Sequence, residues 1–192
     1  MSLRVLGIDP GLTRCGVGVV EVDAGRRATL VAVTVIRSAP DAPLEQRLMT
    51  IGRGVEELMD EHRPDAVAIE QVFAQANLRS VMGVAQVSGI ALRAAAERSV
   101  PVALHTPSEV KAAVTGYGSA DKKQVGAMVA RLLGLAEAPR PADAADALAL
   151  AICHAWRRGG VPTPASPSGG LTPAQRAWRE AEKSARTPRL GR

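Results

Sequence analysis

Leu3-Arg4-Val5-Leu6-Gly7-Ile8 is a near-continuous apolar run that closes on Asp9-Pro10-Gly11. A run without alternating polar positions predicts a strand buried on both faces of a sheet. Asp9 is its last residue, and Pro10-Gly11 turns the chain. An acid at the end of a central strand sits at the rim of the sheet, where a rigid element can hold it toward a ligand. Asp-Pro-Gly is also common turn chemistry. What separates the two readings is whether later acids converge on the same rim.

The elements that follow build a layered sheet. Cys15 to Val22 reads as a second strand, with Val17, Val19 and Val22 apolar and Gly16 and Gly18 between them. Asp23-Ala24-Gly25-Arg26 supplies a turn, and Thr29 to Ile36 is a third strand, so the first three form a meander. Leu44, Leu48, Ile51, Val55, Leu58 and His62 recur at helical spacing and predict an amphipathic helix that Pro64 ends. Ala66 to Ile69 is a fourth, buried strand finishing in Glu70. From Leu78 to Ala96 the pattern is helical but apolar or small nearly all round, with Gly83 and Gly89 inside. Interior glycines cost roughly 1 kcal/mol each relative to alanine, so close packing of another helix is expected to compensate. A helix without a polar face buries it in its own domain or against a partner, and a subunit interface is the favoured expectation. Val100 to His105 is a fifth strand. Thr106-Pro107-Ser108-Glu109 is a capping box that opens a short helix through Val114. Ser119 is read as the cap of a helix carrying Val125, Val129, Leu132 and Leu133, and Pro141 starts a last helix with Leu148 and Ile152 on its buried side. The order predicts an α/β fold, a mixed five-stranded sheet with helices on both faces.

Aromatic residues are only 2% of the chain against 46% hydrophobic, so the core must be aliphatic and each ring becomes informative. No apolar run is long enough to span a membrane and no signal peptide opens the chain, so a cytoplasmic protein with no membrane partner is expected. Cys15 and Cys153 lack metal-ligand spacing and read as reduced, buried thiols. The net charge of +5 is unevenly placed: from Arg157 onward eight basic residues face two acidic ones, a net +6, which leaves residues 1–156 at −1. Residues 159–173 are rich in Pro, Gly and Ser and read as a linker, and Thr172 to Arg186 as a short basic helix capped by Thr172 and Gln175. The expected division is a folded body over 1–157 and a disordered linker with basic tail over 158–192.

Four acids stand out by position: Asp9 and Glu70 at strand ends, Asp143 and Asp146 on the first turns of the last helix. Three residues apart, Asp143 and Asp146 share one helix face, although acids near a helix N-terminus also simply complement its dipole. Glu70 follows Ala-Val-Ala-Ile with no local Lys or Arg, and an isolated buried carboxylate neutralises or needs a cation. Four acids meeting at one rim suit hard divalent cations with oxygen ligands, such as Mg²⁺, which activate water and stabilise the leaving oxygen in phosphodiester hydrolysis. No His/Cys cluster suggests zinc. His105 and His154 read as structural or solvated, and His62 as a boundary residue.

At these residues the chain resembles a known family. Leu6-Gly-Ile-Asp-Pro-Gly11, Ala68-Ile-Glu-Gln-Val-Phe73, Gly116-Tyr-Gly-Ser119 and Ala142-Asp-Ala-Ala-Asp-Ala-Leu-Ala149 are similar to the motifs of the RuvC Holliday junction resolvases, in order and at family-like spacing over roughly 3–156. The resemblance implies a ribonuclease-H-like fold, a homodimer and Mg²⁺-dependent paired nicking of four-way junction DNA. Two ions per site are implied, with Mn²⁺ as a substitute, and the branch-migration motors RuvA and RuvB as partners. Carried onto this sequence, the catalytic and metal-holding acids are Asp9, Glu70, Asp143 and Asp146.

For DNA contact, Phe73 is the chain's one phenylalanine and lies three residues past Glu70 in a polar, loop-like segment. A ring there can stack on an unpaired base, and the family places a base-contacting aromatic at this point. Lys122 and Lys123 lie in the first turns of their helix, where cations oppose the dipole by roughly 0.3–1 kcal/mol each. A solvated charge run is one reading; the functional one is a phosphate site made with the 116–119 loop. Lys111 joins them by family resemblance. The weighed alternatives are an actin-like ATPase, from the Asp9–Thr13 phosphate-loop likeness, a nuclease of the same fold acting on structured RNA, and a non-catalytic junction-binding module.

Overall fold

The opening apolar run becomes strand β1 (Leu3–Asp9), and Arg14–Val22 returns beside it as β2 in antiparallel register, Asp9 opposite Gly16 and Gly7 opposite Gly18. The structure is a computed structural model and describes residues 2–71 and 78–158. Strand β3 (Ala28–Arg37) pairs antiparallel with β2, while β4 (Ala66–Glu70) and β5 (Val102–His105) add in parallel on the other side of β1. The order β3-β2-β1-β4-β5 puts the first strand in the centre, as its unbroken apolarity requires. The expected α/β sheet of mixed direction, five-stranded with helices on both faces, is therefore the observed one.

Helices α1 (Leu44–His62) and α2 (Leu78–Glu97) cover one face, and α3 (Pro107–Thr115), α4 (Lys122–Leu133) and α5 (Ala142–Arg158) the other. On the first face Leu6, Ile8, Val17, Val19, Val67 and Ile69 pack against Ile51, Val55, Met59, Val87 and Ala91. Of the helical stripe expected on α1, Leu44 is exposed and Met59 takes the buried place. Cys15 belongs to this core and Cys153 to the opposite one, both free, so the sheet itself keeps the thiols apart. Helix α1 ends at Arg63 in the left-handed region (φ 43°), the residue before Pro64, where continued helix is disfavoured. His105 and His154 are both buried, and their rings meet with Nε2 of the first 3.0 Å from Nδ1 of the second.

The second face is built differently. Val5, Val20 and Val22 point to it at one end, but toward the active rim the positions are Gly7, Gly16 and Gly18, and α5 lies directly on those glycines. A Cβ on Gly7 would fall 2.1 Å from the Ala147 carbonyl oxygen, and one on Gly16 would fall 2.1 Å from that of Asp143. Ala147, Ala149 and Ala151 on α5 are correspondingly small and fully buried.

Two local expectations change. Helix α4 is capped by Asp121, whose carboxylate accepts from the Gln124 amide in a full capping box, and Ser119 stays in the preceding loop. Asp121 wins because a carboxylate at the cap also offsets the two lysines that follow it. The two glycines of α2 differ: within the chain Gly83 meets Leu12 of the β1–β2 turn rather than a helix, whereas a Cβ on Gly89 would meet nothing within 4 Å. Close approach of α1 and α2 is instead at Gly52 of α1, against Ile90. The 159–192 linker, tail and tail helix lie outside the described residues. Among the described residues no helix is long and apolar enough to cross a membrane.

Because the contact at Gly16 is backbone to backbone, Gly16→Ala cannot be absorbed by a rotamer change. It should cost at least the ~1–3 kcal/mol of ordinary overpacking, seen as a lowered Tm in thermal unfolding. An unchanged Tm would mean that α5 does not rest on this strand as described.

Candidate active site

Four carboxylates reach one rim by three separate routes. Asp9 alternates with Gly7 along β1 and so points to the α5 face. Ile8 pairs with Ile69 in parallel register, which brings Glu70 out of β4 directly beside Asp9. Gly16, opposite Asp9, carries the backbone of Asp143 on its Cα, and Asp146 follows one turn along α5.

The electrostatics report how close they are. Burial, then Glu70, Asp146 and Asp143 in that order, push the Asp9 carboxyl up to about 7, against the pull of Lys122. Glu70 is raised too, first by burial and next by Asp146, although Lys122, a hydrogen bond from Asp9 and Lys111 all favour its charge. Two protein cations hold the aspartates of α5. Lys122 donates to Asp146 Oδ2 at 2.9 Å, and that bond raises the lysine's own pKa. Arg14 Nε lies 3.1 Å from Asp143 Oδ2, an oxygen that is buried and receives no hydrogen bond in good geometry.

Among the described residues no three His, Cys, Asp or Glu side chains are already drawn together as a metal cluster. The donor chemistry nevertheless fits a hard divalent ion. The set is oxygen only, Asp9 and Glu70 are costly to ionise without added positive charge, and Asp143 Oδ2 lacks a donor. The mutual repulsion is direct, and charge from the protein compensates it only in part.

The lysines are placed unequally. Lys122 touches an acid and Lys111 acts on Glu70, whereas Lys123 stands exposed on the first turn of α4. The dipole penalty expected for Lys122 is thus offset by its own aspartate. Phe73 lies outside the described residues. Sequence reasoning missed Arg14. Its signal was available: Arg14, Gly16 and Gly18 alternate along β2, so the arginine shares the face of the two glycines that seat α5.

Comparison with known proteins identifies the family. Residues 5–154 match the family model for crossover junction endodeoxyribonuclease RuvC. A RuvC of Leifsonia xyli is 68% identical, covering 96% of this chain and 94% of that protein. One of Streptomyces griseus is 66% identical over 81% of this chain and 76% of its own. Among solved structures, T. thermophilus RuvC in complex with Holliday junction substrate superposes with a TM-score of 0.78 at 41% identity, covering 82% of this chain and 95% of that one. The five-stranded sheet is therefore of the ribonuclease-H-like type, and the chain belongs to the RuvC family of crossover junction endodeoxyribonucleases.

Proposed function

We propose that Asp9, Glu70, Asp143 and Asp146 are the catalytic and metal-holding residues of a Holliday junction resolvase that nicks two strands of a four-way DNA junction. The observation that carries the assignment is the convergence of four carboxylates, two of them driven toward protonation, on the rim above β1. Enzymes of this family are metal-dependent; for this chain the fitting ion is Mg²⁺, two per site, with Mn²⁺ as a substitute. Bound there, the metal supplies activated water and stabilises the leaving oxygen. The chain's own residues do the rest. Asp9 and Glu70, on rigid strand ends, fix the inner side of the site, and α5 presents Asp143 and Asp146 from the outer side. Lys122 neutralises Asp146 in the resting enzyme and is positioned to transfer to a DNA phosphate, and Lys111 and Lys123 are assigned to the same phosphate contact. Phe73 is assigned to stack on an unpaired base. The nuclease body spans 1–157 with the basic 158–192 segment as an appended phosphate-binding tail, and the enzyme as a whole works in the cytoplasm with RuvA and RuvB.

A resolvase has to make two cuts, so the body is proposed to act as a homodimer with α2 against its copy. Met82, Ala85, Gly89, Leu92 and Ala96 are exposed at alternating three- and four-residue steps, an apolar stripe along one side of the helix. That spacing is the seam of two packed helices. Gly83, turned inward to Leu12, takes no part in it.

Three measurements test the proposal. Asp146→Asn, Asp9→Asn and Glu70→Gln should each abolish single-turnover cleavage of a mobile four-way junction in Mg²⁺ while junction binding survives. Normal cleavage by any one would remove that acid from the site. The second uses the Asp9 proton. In the unfolded chain this carboxyl ionises near 3.8, in the folded one near 7, so between those values the folded state binds more protons. Stability of the metal-free protein should fall as pH rises through that window and level off above it. Mg²⁺ competes with the proton, so it should raise Tm more at pH 8 than at pH 6; an equal shift at both would take Asp9 out of the metal site. Third, Gly89→Leu fits the monomer, since its Cβ meets open space. It should shift sedimentation equilibrium toward monomer, and an unperturbed dimer would place the interface elsewhere.

A further inference from the structure

One part of the rim is not used by the assignments above. Beside Asp143, between the β1–β2 turn and helices α1 and α2, lies an open cavity of about 370 Å³ whose wall carries Thr13, Arg14 and Arg47. Arg47 is held rigidly there: its Nε donates to Ser38 Oγ at 3.0 Å and its Nη2 to Thr13 Oγ1 at 2.7 Å. The Ser38 hydroxyl in turn donates to the Leu12 carbonyl, so the arginine is tied to Leu12 and Thr13, the last two residues of the β1–β2 turn. Arg14 is half exposed, and its Nε lies 3.1 Å from Asp143 Oδ2 without good hydrogen-bond geometry. Two guanidiniums against one carboxylate leave the cavity net positive, on a body whose net charge is −1.

The placement is informative. Lys111 and Lys122 approach the acids from α3 and α4, whereas Arg14 and Arg47 stand at the edge formed by the β1–β2 turn and α1. A strand laid across the four carboxylates meets repulsion at its scissile phosphate, and phosphate contacts are what set its register. The planar fork of arginine suits a phosphodiester better than a point charge does. An arginine whose carboxylate partner is only loosely engaged can change partners at small cost.

We propose that Arg14 and Arg47 form a second phosphate site, which takes a phosphodiester of the cut strand neighbouring the scissile one, with Arg14 exchanging Asp143 for that phosphate. Arg47 is the fixed wall and Arg14 the movable arm. The proposal rests on the resolvase reading, because it needs a strand lying over the acids.

The test is a salt titration of four-way junction binding in chelator-containing buffer, with unmutated protein, Arg14→Ala and Arg14→Lys. Arg14→Ala should bind about tenfold more weakly, the order one charge-assisted hydrogen bond supplies. The slope of log affinity against log salt should become shallower by about 0.9, one phosphate contact on duplex DNA. Arg14→Lys should restore the slope, with part of the affinity still missing for lack of the fork. An unchanged slope in Arg14→Ala overturns the proposal, and if affinity alone falls, the arginine serves only to hold Asp143. Failure of the unmutated protein to prefer a four-way junction over a linear duplex of equal length would instead overturn the resolvase reading.

Discussion

The architecture depends on how closely α5 approaches the central strands. Gly7 and Gly16 have no side chain to hold the helix off, and carbonyl oxygens of α5 occupy the space where their Cβ atoms would be. The helix answers with alanines at 147, 149 and 151, residues that favour helix and add almost no bulk. This contact is also what brings Asp143 over the strand that pairs with Asp9. A methyl group at either glycine would push out the helix and, with it, half of the carboxylate set. Packing and chemistry are here one constraint.

That closeness has an electrostatic cost. Asp9 is mostly withdrawn from water and faces three other acids, which is why its proton is held until near neutrality. The protein relieves the strain with cations placed on the helix side, Lys122 on Asp146 and Arg14 on Asp143. Lys122 is largely exposed at 73% and Arg14 half exposed at 53%, so the ion pairs are screened and contribute little to stability. A resting site held by weak, solvent-facing partners exchanges them readily for metal and phosphate. Of the few aromatics, Tyr117 is exposed in the 116–119 loop, and Trp156 lies under Arg26, where the indole Nε1 donates to the Arg26 carbonyl at 3.0 Å.

Much of this was legible before any coordinates. The central strand followed from the unbroken apolar run, the fourth strand from Ala66–Ile69, and the capping box of α3 from Thr106 and Glu109. These are local properties: periodicity and caps act over one or two turns or one strand, and the chain cannot hide them. Local reasoning erred where two local signals competed. Ser119 and Asp121 are both good caps, and only Asp121 has a glutamine three residues on to complete the capping box. The two glycines of α2 look alike in sequence, but helix phase sends Gly83 inward to a turn and Gly89 outward to open space.

The sequence by itself determined the order and type of the elements, the four candidate acids and their relation to the RuvC motifs, because each is carried by residues near one another along the chain. Only the tertiary structure decided what those acids feel. Glu70 stands beside Asp9 because two parallel strands share a register across sixty residues, and no local pattern encodes that pairing. The partners of Asp143 and Asp146 come from β2 and α4, brought together by the seating of α5 on glycine. Charge interactions depend on distance and burial, and both exist only once the chain has folded.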